Sequence, residues 1–110
     1  MVYREEIICA AIWYRDLTPP NVKSIGHELY LPRNIHEGIV FCGHRHVHCL
    51  YQMVAIYGLY QSQAGFEVQG FLTNLNKFVD REEALKIAIK ARQVNYTKIK
   101  GKQLYSEDLY

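Results

Sequence analysis

The run Gly43-His44-Arg45-His46-Val47-His48-Cys49 gathers three of the chain's five histidines around an arginine, directly after Cys42. "GIVFCG", residues 38–43, reads as a short buried strand, and from His44 the apolar period becomes helical. The run therefore lies where a strand passes through glycine into a helix. Unpaired backbone N–H groups and the macrodipole favour negative charge there, and an arginine grips phosphate with two parallel bonds. Gly43, His44, Arg45 and His46 form a candidate anion cradle on this reading, with His48 one turn further on. The glycine spacing of a Walker loop or a dinucleotide fingerprint is absent. The plainer reading makes His44 and Arg45 solvated first-turn residues and His48 a satisfied, partly buried imidazole.

Two other chemistries use the same side chains. Cys42, His44, His46, His48 and Cys49 are all zinc donors, but on a helix His46 points nearly opposite to His44 and His48, and there is no C-x-x-C or HExxH. No metal and no cofactor are expected. "HRHVHCL" also resembles the His-x-His-x-His run of the histidine-triad hydrolases, in which the middle histidine, here His46, attacks a phosphate. In that family the run lies on a strand near the C-terminus with hydrophobic residues between the histidines. Arg45 departs from that pattern, and so does the run's place in mid-chain. No paired carboxylates or Ser-His-Asp logic argue for catalysis.

The elements that must position this run follow from patterning. "IICAAIWY", Ile7 to Tyr14, is a continuous apolar run that suits a central strand covered on both faces. "RDLTPPN" breaks it into a loop, and "HELYLP" alternates weakly as a short edge strand ended by Pro32. The first helix is expected to run about four turns and to be mostly buried. Val47, Leu50, Tyr51, Val54, Tyr57 and Gly58 form its stripe, Met53, Ile56 and Tyr60 widen it, and Gly65 is its left-handed stop. "FEVQGFLT" alternates as a half-buried strand, "NLN" turns, and "KFV" pairs back. The second helix starts at Asp80, whose carboxylate can accept from the first turn, with Glu83 three residues on. Ala84, Leu85, Ala88, Ile89 and Arg92 mark its buried stripe. Residues 100–110 form a polar tail whose Leu104, Tyr105, Leu109 and Tyr110 are too apolar to stay solvated and should dock.

These elements predict one α+β domain over residues 1–110, a mostly antiparallel sheet with two helices. The formal net charge of +2 is too small for a generic nucleic-acid binder. No leader and no membrane-length apolar run are visible, and three cysteines suit a reducing compartment, so a cytoplasmic protein is expected. Nine tyrosines and an apolar end favour a subunit contact.

Several blocks together carry a family resemblance: the "CAAIWY" strand, the Cys42–Cys49 segment, "GFLT" with "FVDREEA", and the closing "SEDLY". They are similar to blocks in small phage and prophage proteins, and within that group the chain resembles the first Thoeris anti-defence family. The resemblance implies a sponge in the bacterial host cytoplasm. Such a protein sequesters glycocyclic ADP-ribose, and in some members cyclic di- and trinucleotides, without cleaving them. It also implies dimers that associate into hexamers. The residues suit this independently, since a cyclic nucleotide needs phosphate donors, an aromatic surface, and amides for ribose and base edges. Gly43 to His46 supply the first, Phe71 the second, Asn74 and Asn76 the third, and Arg81 a further cation. Ordinary sheet packing explains Phe71 equally well, and a solvated helix start explains Arg81. A small histidine-dependent phosphodiesterase and a ligand-free structural protein remain the alternatives.

Overall fold

The computed structural model describes residues 4–19, 26, 29–58 and 66–110. Four strands form one antiparallel sheet in the order β2-β1-β3-β4: β1 is Ile7–Tyr14, β2 Ile39–Gly43, β3 Glu67–Thr73 and β4 Phe78–Asp80. Helices α1 (His46–Tyr57) and α2 (Arg81–Lys90) contact this sheet, and a one-turn helix, α3 (Ser106–Leu109), closes the chain. The architecture is α+β.

β1 is central because its residues are apolar toward both faces. Ala10, Ile12 and Tyr14 enter the larger core with Phe41, Phe71, Cys49, Met53, Ala84, Leu85, Ala88 and Leu104. Ala11 belongs to the smaller core with Leu31, Ile35 and Phe78, against which Trp13, Val40 and Val68 pack. Residues 29–35, expected in part as an edge strand, are a turn and loop in their described portion. The loop nonetheless does an edge strand's work. Asn34 accepts from the Phe78 N–H at 2.8 Å and donates to the Phe78 carbonyl at 2.7 Å, so it satisfies the outer edge of β4 with one side chain.

Gly70 in β3 has a steric reason. A Cβ there would collide with the Val79 carbonyl oxygen and crowd the Phe78 ring, so only glycine lets β3 and β4 approach with that ring between them.

α1 differs from expectation at both ends and in its buried face. It begins at His46, not His44, with Arg45 as the N-cap residue, and it ends at Tyr57, where Gly58 turns to φ +83° and its N–H closes on Val54 O at 2.8 Å. The expected stop at Gly65 lies outside the described residues. Its buried residues are Cys49 and Met53, while Val47, Leu50, Tyr51 and Ile56 are exposed. The reason is that α1 carries no Asp, Glu, Lys or Arg, so apolar periodicity could not select the inward face.

Candidate functional site

The register brings the two helix starts together. Gly43, Ala10, Phe71 and Val79 form one row across the sheet, and Cys42, Ala11, Gly70 and Asp80 form the next. β2 and β4 lie on opposite edges and run in opposite directions, yet both give way to their helices near the middle of the sheet. α1 and α2 therefore start over neighbouring rows. His46, the first residue of α1, reaches across to β3, where its Nε2–H donates to the Gly70 carbonyl at 2.7 Å and its ring meets Phe71 edge-on at 5.0 Å. Burial lowers the His46 pKa below its ordinary value, the Gly70 carbonyl opposes this, and Arg81 adds to it. A neutral imidazole committed to a backbone carbonyl is the result.

The last residues of the chain fill the space between the helix starts. Leu104 and Ser106 are buried, and the Leu104 N–H donates to Arg81 O at 2.9 Å. Arg81 answers with Nη1 to Leu104 O at 2.9 Å and Nη2 to Gln69 Oε1 at 2.5 Å, and its guanidinium lies 4.5 Å from the Tyr105 ring centroid. On the α1 side, Arg45 Nη2 donates to the Tyr110 backbone oxygen at 3.2 Å with its guanidinium 5.5 Å from the Tyr110 ring centroid. The same ring lies 4.5 Å from His44 at an interplanar angle of 31°, and its hydroxyl donates to Ile8 O at 2.7 Å. Arg45 Nη1 is buried and has no hydrogen-bond partner among the described residues.

Glu107 completes the arrangement. Its own backbone N–H does most to hold its carboxyl below the ordinary range; Arg45, the Ser106 hydroxyl and Arg81 add to this. The arrangement thus consists of two guanidiniums, the His44 imidazole tilted over Tyr110, the rings of Tyr105 and Tyr110, and a carboxylate. Such a set can hold anions and flat rings without breaking bonds.

The candidates from sequence separate cleanly. His44, Arg45, His46 and Arg81 meet around the last turn of the chain. Gly43 pairs with Ala10 in the sheet beneath them, and His48 is turned to capping, its Nδ1 accepting the Arg45 N–H at 3.1 Å. Phe71 is a correction, because it is fully buried beneath the helices and offers no surface for stacking. Asn74 and Asn76 are exposed in the turn between β3 and β4. Asn74 ties down the N-terminal strand through Glu6 N at 2.8 Å and Arg4 O at 2.9 Å. Asn76 is the left-handed residue of the turn, with φ 57°, and β4 carries the chain away from that turn before Arg81.

Sequence reasoning missed Gln69, Glu107 and the roles of Tyr105 and Tyr110 in the site. An acidic, aromatic end following a basic stretch was the available signal, but Arg45 and Tyr110 are 65 residues apart. Among the described residues no three His, Cys, Asp or Glu side chains converge as metal ligands. A depression of about 400 Å³ beside Arg81 is lined also by Glu67, Asp80 and Glu82, whose like charges make it unsuited to phosphate. On the neighbouring strands the Cys9 thiol comes down to about 7, held by Cys42 and the Gly43 N–H against burial, while Cys42 is pushed up by Cys9.

No helix among the described residues is long and apolar enough to cross a membrane. No curated protein and no solved structure matches the chain. The family model of the phage T4 y16D protein does match, over residues 6–110. That span takes in both helix starts, the histidine run and the last turn that joins them, and the chain accordingly belongs to the phage T4 y16D protein family.

Proposed function

We propose that this phage-family protein binds and sequesters a small phosphate-bearing ligand of the cyclic-nucleotide class at the junction of α1 and α2, without cleaving it. The observation that carries the reading is Arg45: one nitrogen of its guanidinium is bound to Tyr110, and the other is buried without a partner among the described residues. A buried donor left unpaired costs about 1–3 kcal/mol, and an anion is the partner that would relieve it. Arg81 is already loaded with neutral acceptors and an aromatic face, so it contributes charge more than free donors. The resemblance to Thoeris anti-defence sponges supplies the ligand class, glycocyclic ADP-ribose or a cyclic oligonucleotide.

Two features favour sequestration over catalysis. His46, the residue a histidine-triad mechanism would use, has its Nε2 committed to Gly70 O and its ring against buried Phe71. A nucleophile needs that nitrogen free and a base or orienter arranged around it. Self-association fits the same reading, because Val47, Leu50, Tyr51 and Ile56 leave an uncharged apolar face outward on α1.

The test is to incubate the protein with glycocyclic ADP-ribose and with cyclic dinucleotides, denature it by heat, and analyse the released nucleotide. Intact nucleotide recovered in proportion to protein is the expected result, and Arg45→Ala should weaken binding by about 1.5–3 kcal/mol, one charge-assisted contact. Linear product accumulating over many turnovers per chain would replace sequestration with hydrolysis.

A further inference from the structure

The last turn of the chain holds two groups that are chemically unlike its interior part. Leu104 is 0 % exposed and Ser106 2 %, so the turn is anchored in the core. Beyond them Glu107 and Asp108 are exposed and Tyr110 is 52 % exposed, although the Tyr110 ring lies against His44 and over Arg45. Lifting this tip breaks the Arg45–Tyr110 and Tyr110–Ile8 hydrogen bonds and draws half-buried Leu109 off the core, while Leu104 keeps its backbone pairing with Arg81. Tip and anchor are thus held by different contacts.

What the tip presents is the flat ring of Tyr110 and an acceptor oxygen. The ring rests on an imidazole and a guanidinium, the surfaces on which a nucleobase stacks. The backbone oxygen of the same residue accepts from Arg45 Nη2 at 3.2 Å, where a phosphate oxygen would be favoured. The fit is incomplete, since Arg45 Nη1 stays buried and unpaired with the tip in place. The Tyr110 backbone oxygen satisfies this guanidinium only in part; a phosphate, with more acceptor oxygens, can complete it.

We infer that the seat of the tip is the ligand site itself, and that Tyr110 is its displaceable occupant, the ring holding the place of a nucleobase and its backbone oxygen on Arg45 Nη2 that of a phosphate oxygen, with Glu107 on the same turn leaving with it. This inference rests on the nucleotide-binding reading above and adds that the free protein is self-occluded. Ligand and tip compete for His44 and Arg45, so apparent affinity is reduced by the fraction of chains with the tip seated.

The experiment is calorimetric titration of the wild type and of the double variant Glu107→Gln/Tyr110→Ala with adenosine 5′-monophosphate, adenosine and inorganic phosphate. Competition predicts that the variant binds the monophosphate at least tenfold more tightly than the wild type, with smaller gains for adenosine and phosphate alone. Adding Arg45→Ala should erase the gain. Amide exchange supplies a second readout: the monophosphate should speed exchange at residues 107–110 of the wild type and leave Leu104 protected. Weaker binding by the double variant would make Tyr110 a wall of the site and overturn the inference. Unchanged affinity, in a protein whose wild type still holds cyclic nucleotides through Arg45, would overturn the inference and leave the proposed function standing. If no form binds any nucleotide, both fail.

Discussion

α1 and α2 contact the same sheet and start over neighbouring rows, yet they are built on opposite principles. α2 is an ordinary amphipathic surface helix. The Asp80 carboxylate accepts from Glu83 N at 2.9 Å, Glu82 and Glu83 complement the dipole in the first turn, Lys90 does so in the last, and Ala84, Leu85, Ile87 and Ala88 face inward. α1 has no side-chain cap, no acid in its first turn and no base in its last. Its start is held by a histidine that accepts the N-cap N–H, a histidine tied to another strand, and an arginine tied to the end of the chain. A helix stabilised by local chemistry carries a cap of its own, although Arg81 at the start of α2 also pairs with Leu104 and Gln69. One that lacks it must take its partners from far along the chain, and it is there that the candidate binding groups collect.

The largest test of this contrast concerns the inward face of α1. Met53→Ala should cost about 2–5 kcal/mol in denaturant unfolding, as for a buried large-to-small change, whereas Tyr51→Ser on the outer face should stay within about 0.5 kcal/mol. Equal losses would mean that both faces are covered in solution, as in a subunit contact through α1. Next comes the cap. Asp80→Ala should destabilise by about 1 kcal/mol, the usual worth of an N-cap. Glu107→Gln on the α1 side should leave stability nearly unchanged, because an exposed carboxylate contributes little.

Smaller still is the pH dependence that α1 alone should show. His46 holds its proton less tightly folded than unfolded, its ordinary value being 6.5. The unfolded chain therefore binds more protons as pH falls below that value, and stability is lost there and not above it. Urea unfolding at pH 7.5 and at pH 5.5 should show this loss in the wild type and less of it in His46→Gln, which keeps a donor for Gly70 O but does not titrate. An unchanged slope in the variant would assign the acid sensitivity elsewhere. The least disruptive probe is alkylation: iodoacetamide should react at Cys9 with a midpoint near pH 7, ahead of Cys42 and buried Cys49. Simultaneous labelling of all three would contradict the thiol contact between β1 and β2.

Sequence by itself determined what local physics decides. An eight-residue apolar run made a central strand, Asp80 started a helix, and alternation from Glu67 placed Gln69, Phe71 and Thr73 on one face of β3. Each of these depends on groups within a few residues of one another, which is the range over which periodicity and capping act. Tertiary structure alone decided the inward face of α1, the fate of Phe71 and the partners of Arg45 and Arg81. An apolar helix without charges offers two nearly equal faces, and only the volume left above β1 and β2 selects between them. A phenylalanine on an alternating strand suits a core or a stacking surface equally, and packing beneath His46 made it core. Ser106 to Tyr110 met the histidine run only because β2 and β4, on opposite edges, both release their helices over the middle of the sheet. No local rule brings residues that far apart in the chain to one place; closing that distance depends on the whole core.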